Sequence, residues 1–163
     1  MNADSDLFKL YSRRILALAA EIPHTEPIEA PEAMARRRSP LCGSTVSVAL
    51  RLDGEGRIAA FSQDVKACAL GQAAASVVGR EVIGRDRDEI ARARDALWAM
   101  LKEDGPPPAA PFDGLEVLQP ARAYPNRHAS IMLALEATLE AFDRALAGRN
   151  KAAAAEDGPA ARP

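Results

Sequence analysis

The sequence predicts an α+β fold, a small antiparallel sheet of about three strands built on a hairpin and packed against several helices. Two patterns predict it. First, Ser44 to Leu52 (STVSVALRL) alternates in the manner of a half-buried strand, and Arg57 to Val65 (RIAAFSQDV) returns after Asp53-Gly54-Glu55-Gly56. Glycine and Asp tolerate the positive φ of a tight turn, so the two runs form a hairpin. Second, the segments around the hairpin carry apolar residues at the three-to-four spacing of a helical face.

Taken in order, Asp4 or Ser5 can cap a first helix from about Leu7 to Glu21, with Leu7, Leu10, Tyr11, Ile15, Leu18 and Ala19 on one face. Pro23 ends it. Residues 23–40 contain four prolines and read as an irregular crossing, with Arg36-Arg37-Arg38 as a solvated basic run. After the hairpin, Ala69 to Val82 is rich in small residues, which let a helix lie close to a sheet, and Gly84 closes it. Asp86 or Asp88 starts the next helix, whose buried stripe is Ile90, Ala93, Leu97, Trp98 and Leu101. Gly105-Pro106-Pro107-Pro108 breaks it, and Phe112 to Leu118 reads as a short turn or helical segment. A last helix spans about Asn126 to Ala147, with Ile131, Leu135, Leu139, Phe142 and Leu146 on one face. Residues 1–150 read as one domain. Residues 151–163 lack the apolar content to offset ordering and read as a disordered tail.

Composition narrows the function classes. A formal charge of -2 and a pI near 5.7 argue against a nucleic-acid partner held by bulk electrostatics. No apolar run is long enough for a membrane span. The acidic start, MNADSDLFKL, lacks the basic opening of a secretory signal, so a cytoplasmic location is expected. There the two cysteines are free thiols rather than a structural disulfide.

Three side chains can carry chemistry: Cys42, Cys68 and His128. Cys42 precedes the first hairpin strand and Cys68 follows the second, so the hairpin should make them neighbours although 26 positions separate them. Cys68 also opens the small-residue helix, near unpaired backbone N–H groups and the positive end of its dipole. His128 falls in the first turn of the last helix. Two thiolates and an imidazole suit zinc or iron. Without a Cys-x-x-Cys spacing, the same cysteines are also readable as small buried apolar residues.

The segments Ser39-Pro40-Leu41-Cys42-Gly43-Ser44, Leu52-Asp53-Gly54-Glu55-Gly56-Arg57-Ile58 and Val65-Lys66-Ala67-Cys68-Ala69-Leu70-Gly71-Gln72 occur in the order and spacing of a known family core. Leu10-Tyr11-Ser12 and Asn126-Arg127-His128-Ala129-Ser130-Ile131 add its first and last signatures. The chain resembles the iron–sulfur cluster assembly scaffolds of the NifU N-terminal, IscU and SufU type over about residues 7–147. The long stretch between Cys68 and residue 129 is similar to the SufU branch, and the histidine at 128 to the IscU branch.

The resemblance implies a SufU/IscU-like fold and a non-enzymatic scaffold that carries an iron–sulfur cluster or zinc. Its implied partners are a cysteine desulfurase, a cluster acceptor or a larger complex. Family scaffolds use three cysteines and an aspartate, often with a histidine nearby. Carried over, Cys42 and Cys68 match the first two cysteines and His128 the histidine. Ser44 stands at the aspartate and Ala129 at the third cysteine. The remaining Cys42, Cys68 and His128 make a partial metal site, with Asp64 as a candidate local carboxylate. Two functions follow from this: a divergent scaffold binding metal or cluster through the partial site, or a non-catalytic interaction module that keeps the fold, with structural zinc or no metal.

Overall fold

The computed structural model describes residues 11–160, with side chains described to residue 155. Its elements are α1 (Arg13–Ala20), β1 (Ala33–Arg38), β2 (Thr45–Leu52), β3 (Ile58–Lys66), α2 (Ala69–Glu81), α3 (Arg87–Lys102), two 3-10 segments (Phe112–Ala123 and Pro125–Arg127) and α4 (His128–Ala160). The strands form one antiparallel sheet in the order β1-β2-β3. The expected α+β architecture is therefore the observed one.

Alternation dictates which face of the sheet is covered. Val46, Val48, Leu50 and Leu52 are buried, while Ser47, Ala49 and Arg51 between them are more exposed. Full burial of side chains of this size contributes about 1.5–3 kcal/mol each. Register carries the pattern to β3, where Leu50 pairs with Phe61 and Val48 with Gln63. Helix α4 lies against β1 and β2 and also touches α2 and α3. The hairpin turn closes as its residues require: the Asp53 carboxylate accepts from the backbone N–H of Glu55 at 2.8 Å and of Arg57 at 3.0 Å, and Gly56 takes φ +76°.

The proline-rich crossing departs from expectation. Its second half is strand β1, and the basic run lies in it, paired Arg36 to Ser47, Arg37 to Val46 and Arg38 to Thr45. A strand at a sheet edge gains its structure from the partner's backbone, and charged side chains there discourage further pairing. No local pattern in AMARRR announces this. The first half is fixed from below by Gln63, whose buried carboxamide donates to the carbonyls of Pro23 and Ala75, both at 3.1 Å.

Helix α1 starts later than expected, with Ser12 as its cap accepting from Ile15 N–H at 3.3 Å; the expected caps Asp4 and Ser5 lie outside the described residues. In α3, Ile90, Ala93, Leu97, Met100 and Leu101 form the buried face. Trp98 does not belong to it. One step beyond Leu97 is about 100° around the helix, and the ring is 48% exposed under the Lys102 ammonium. The segment after the prolines is a 3-10 helix because its apolar residues recur in threes: Phe112, Leu115, Leu118 and Ala121 are all buried. Helix α4 begins at His128 and continues past Ala147 to Ala160, through an alanine-rich run of high helix propensity. Arg149 on this helix pairs with Glu32 and donates to the Leu52 and Asp53 carbonyls, pinning α4 to the tip of the hairpin.

Asp86 caps α3 in a complete capping box, accepting from Glu89 N–H at 2.9 Å while Glu89 accepts from Asp86 N–H at 3.2 Å. Asp86→Ala is expected to cost about 1 kcal/mol. A lowered urea midpoint with an unchanged denaturant slope checks this. No helix among the described residues is long and apolar enough to cross a membrane.

Candidate functional site

The β1–β2 connection and the N-terminus of α2 meet at one end of the sheet. Residues 39–44 fold into a closed turn: Ser39 N–H donates to the Ser44 carbonyl at 2.8 Å, and Gly43 N–H to the Ser39 carbonyl at 3.0 Å. Gly43 takes φ +72°, which glycine adopts without a Cβ penalty. The turn leaves Leu41 and Cys42 exposed and tucks Ser39 and Ser44 inside. Thr45 pairs with Lys66, so the residues flanking the two strands come together here. Cys68 is the N-cap residue of α2, half-buried, with no side-chain capping bond.

Two hydroxyls connect the thiols. Cys42 Sγ is 3.0 Å from Ser44 Oγ, Ser130 Oγ donates to Ser44 Oγ at 3.3 Å, and Cys68 Sγ is 3.5 Å from Ser130 Oγ. Direction follows from the proton count. With Ser130 donating to Ser44, the Ser44 hydrogen is free for Cys42, and the Ser130 oxygen is free to accept from the Cys68 S–H. A further hydroxyl, Ser39 Oγ, accepts from the Cys42 S–H at 3.4 Å and has to turn to donate once the proton leaves. The Ser44 hydroxyl is thus the group already placed to favour a thiolate at Cys42. Hydrogen bonding to Ser39 first, then to the hydroxyl and backbone of Ser44, holds the Cys42 thiol down at about 7, against a smaller opposing effect of burial. The Ser130 hydroxyl adds to the same lowering.

One cation borders the site. A Cβ at Gly43 would lie 3.8 Å from an Arg38 guanidinium nitrogen, so that group sits over the turn beside Cys42. Among the described residues Arg38 forms no ion pair.

His128 is elsewhere. Its ring is 2% exposed and faces the 3-10 segment, with Nε2 2.8 Å from the Ala121 carbonyl and Nδ1 without a partner. A carbonyl only accepts, so Nε2 carries the hydrogen. Burial pushes the imidazole below its ordinary pKa, and the ring is neutral at physiological pH. Ala129 is half-buried at the start of α4, and Asp64 is exposed on β3 opposite Ser47. Among the described residues, no group of three or more His, Cys, Asp or Glu is placed to hold a metal ion. The described residues thus present two soft donors and three hydroxyls at this spot, short of the four-ligand shell of zinc or an iron–sulfur cluster. Ser39 and Ser130 escape sequence reasoning. Ser130 directly follows Ala129 in the sequence.

Comparison with solved structures places the fold. The fold superposes on the N-terminal, nitrogen-fixing NifU-like protein of Brucella abortus with a TM-score of 0.83 and 40% sequence identity, over 86% of this chain and 97% of that one. The chain belongs to the NifU-like N-terminal family. A second neighbour of this NifU-like chain, from Fervidobacterium islandicum, is described as an iron–sulfur cluster assembly scaffold protein for the SUF system. It shares the fold at a TM-score of 0.70 and 19% identity, over 83% of this chain and 98% of that one. No family model and no curated relative matches the sequence.

Proposed function

We propose that the chain acts in iron–sulfur cluster assembly as a scaffold-type protein that contributes two cysteine ligands, Cys42 and Cys68, and meets its remaining ligands on a protein partner. The observation that carries this reading is the convergence of both thiols on one exposed end of the hairpin, joined through Ser44 and Ser130. Family membership and the scaffold description of the Fervidobacterium neighbour support it. No catalytic residue is assigned, and the cytoplasm is the proposed compartment.

Each residue has a distinct part in the proposal. Cys42 is exposed and half ionised near neutral pH, so it meets the incoming cargo, iron or sulfur delivered by a partner such as a cysteine desulfurase. Cys68 is fixed by the first turn of α2. Ser44 and Ala129 supply neither the carboxylate nor the thiol that the family resemblance leads one to expect, which leaves room in the shell for a cluster acceptor's side chain. Leu41, 74% exposed beside Cys42, offers that partner an apolar contact. To join the thiols, His128 would have to leave the Ala121 carbonyl and the core, so ligation rests on the two cysteines.

Anaerobic reconstitution with iron and sulfide is the test. Visible charge-transfer absorption is expected, and Cys42→Ser or Cys68→Ser should abolish it. A protein that stays colourless alone and with a cysteine desulfurase sinks the reading.

The locked imidazole favours a second reading, an accessory interaction module with structural zinc or no metal. It requires a stably co-purifying partner. Metal analysis separates its forms: one zinc per chain that disappears in His128→Ala would mean that the histidine swings in as a third ligand.

A further inference from the structure

Strand β1 is an edge of the sheet, with β2 on one side and, among the described residues, no strand on the other. Ser39 N–H donates to the Ser44 carbonyl as the last rung of the β1–β2 pairing. Backbone groups alternate in direction along an antiparallel pair, so Ala33, Ala35 and Arg37 face β2 while Met34, Arg36 and Arg38 face away. The Met34 carbonyl shows that direction, accepting from Arg144 Nη1 at 2.7 Å. Among the described residues, the outward N–H groups of Met34, Arg36 and Arg38 and the carbonyls of Arg36 and Arg38 have no backbone partner. We propose that this edge of β1 binds an acidic, extended segment of a protein partner as a fourth strand.

Charge selects the occupant. Arg36 and Arg38 are exposed on the sheet face away from α4, and neither forms an ion pair among the described residues. Arg37, on the opposite face, is already held by Glu136 and Glu140. A second copy pairing through the middle of this edge would set Arg36 against Arg36, and like charges directly opposite destabilise a ladder. The arginines that keep copies of this chain apart thus favour a strand with carboxylates at alternate positions. Backbone bonds supply the affinity of such an added strand, and alternate side chains its specificity. On the α4 side, Arg37, Leu139, Glu140, Arg144 and Ala147 help to line a groove of about 400 Å³ beside the edge, where the segment's other face can rest. Neither thiol takes part, so the proposal is independent of metal binding.

The test uses the reduced full-length protein and a short synthetic peptide, capped at both ends, that alternates glutamate with valine. Fluorescence anisotropy should give saturable binding. With peptide at about ten times its Kd, solvent exchange of the Met34, Arg36 and Arg38 amides should slow about tenfold, while Ala35 and Arg37, already bonded to β2, stay unchanged. A peptide with lysine in place of glutamate should bind at least about tenfold more weakly, because each cross-strand charge pair changes sign. N-methylation of the glutamates, whose N–H groups would face β1, should cost at least as much. Arg36→Glu should weaken the glutamate peptide about tenfold and leave the circular dichroism unchanged, since that side chain is exposed. Absence of saturable binding, equal binding of the lysine peptide, or indifference to N-methylation overturns the proposal. Slow exchange of the same amides in a peptide-free dimer would also overturn it, because the edge would then belong to a second copy.

Discussion

Replacing Gly71 with valine should cost about 3 kcal/mol and break the hydroxyl chain at the thiol site together. Gly71 lies in the first turn of α2, where that helix runs against the start of α4. A Cβ there would meet Ser130 Oγ at 2.6 Å, the Ala67 Cβ at 2.8 Å and the Ser130 carbonyl oxygen at 3.1 Å. Two of these three atoms cannot rotate away, so relief requires moving one helix against the other. Gly71→Ala is the milder form, and ~1–3 kcal/mol is expected from the same overpacking. Glycine's helix penalty works the other way, by about 1 kcal/mol, so the net cost reports the steric conflict. Gly148 is the internal control: a Cβ there meets nothing within 4 Å, and Gly148→Ala should be neutral or stabilising. Urea unfolding of the three variants reads the difference. A Gly71→Val protein as stable as the parent would mean that α2 and α4 are not in contact at Ser130.

This contact explains what the sequence makes legible and what it does not. The hairpin is written locally, in the alternation of Ser44 to Leu52 and in Asp53 and Gly56, whose hydrogen bonds and φ close the turn. The periodic stripes of α3 and α4 are also local, so Ile90, Leu97, Leu135 and Phe142 are buried as their spacing predicts. Strand β1 is not local. Its AMARRR segment has neither apolar alternation nor β-branched residues, and it becomes a strand because β2 offers an unpaired edge. Trp98 misleads because hydrophobic character outweighs its angular position in a stripe read by eye.

At the site, the same distinction separates the thiols from the hydroxyls. Cys42 and Cys68 can be paired in advance because a hairpin relates the ends of its strands. Ser130 stands 62 residues beyond Cys68 and reaches it only through the packing of α4 on α2. His128 has the residue type and the helix position of a ligand, yet the Ala121 carbonyl of the 3-10 segment, which also accepts from Tyr124 N–H, claims its ring. Buried polar groups go to the partners that packing supplies, and sequence spacing does not contain that information.

Cys42 should alkylate with a pH midpoint at about 7, well below that of an ordinary cysteine near 8.5. The sign follows from the hydrogen bonds: the Ser44 hydroxyl and backbone favour the thiolate, and the Ser39 hydroxyl, which accepts from the thiol, lowers the pKa by turning to donate to the thiolate. At pH 7 about half of Cys42 is ionised, against roughly 3% of an ordinary thiol. A more acidic thiolate is also a weaker nucleophile, which removes about fivefold of that advantage. The net gain with iodoacetamide at pH 7 is therefore only about threefold, and the midpoint is the decisive quantity. Ser39→Ala should raise it most, because that hydroxyl makes the largest contribution. Ser44→Ala should raise it less, since the Ser44 backbone N–H stays in place, and Ser130→Ala least. Mass spectrometry of the alkylated peptides assigns each rate to its cysteine. A wild-type midpoint near 8.5, or one that Ser39→Ala leaves unmoved, would mean that the hydroxyls pack against the sulfur without stabilising its charge.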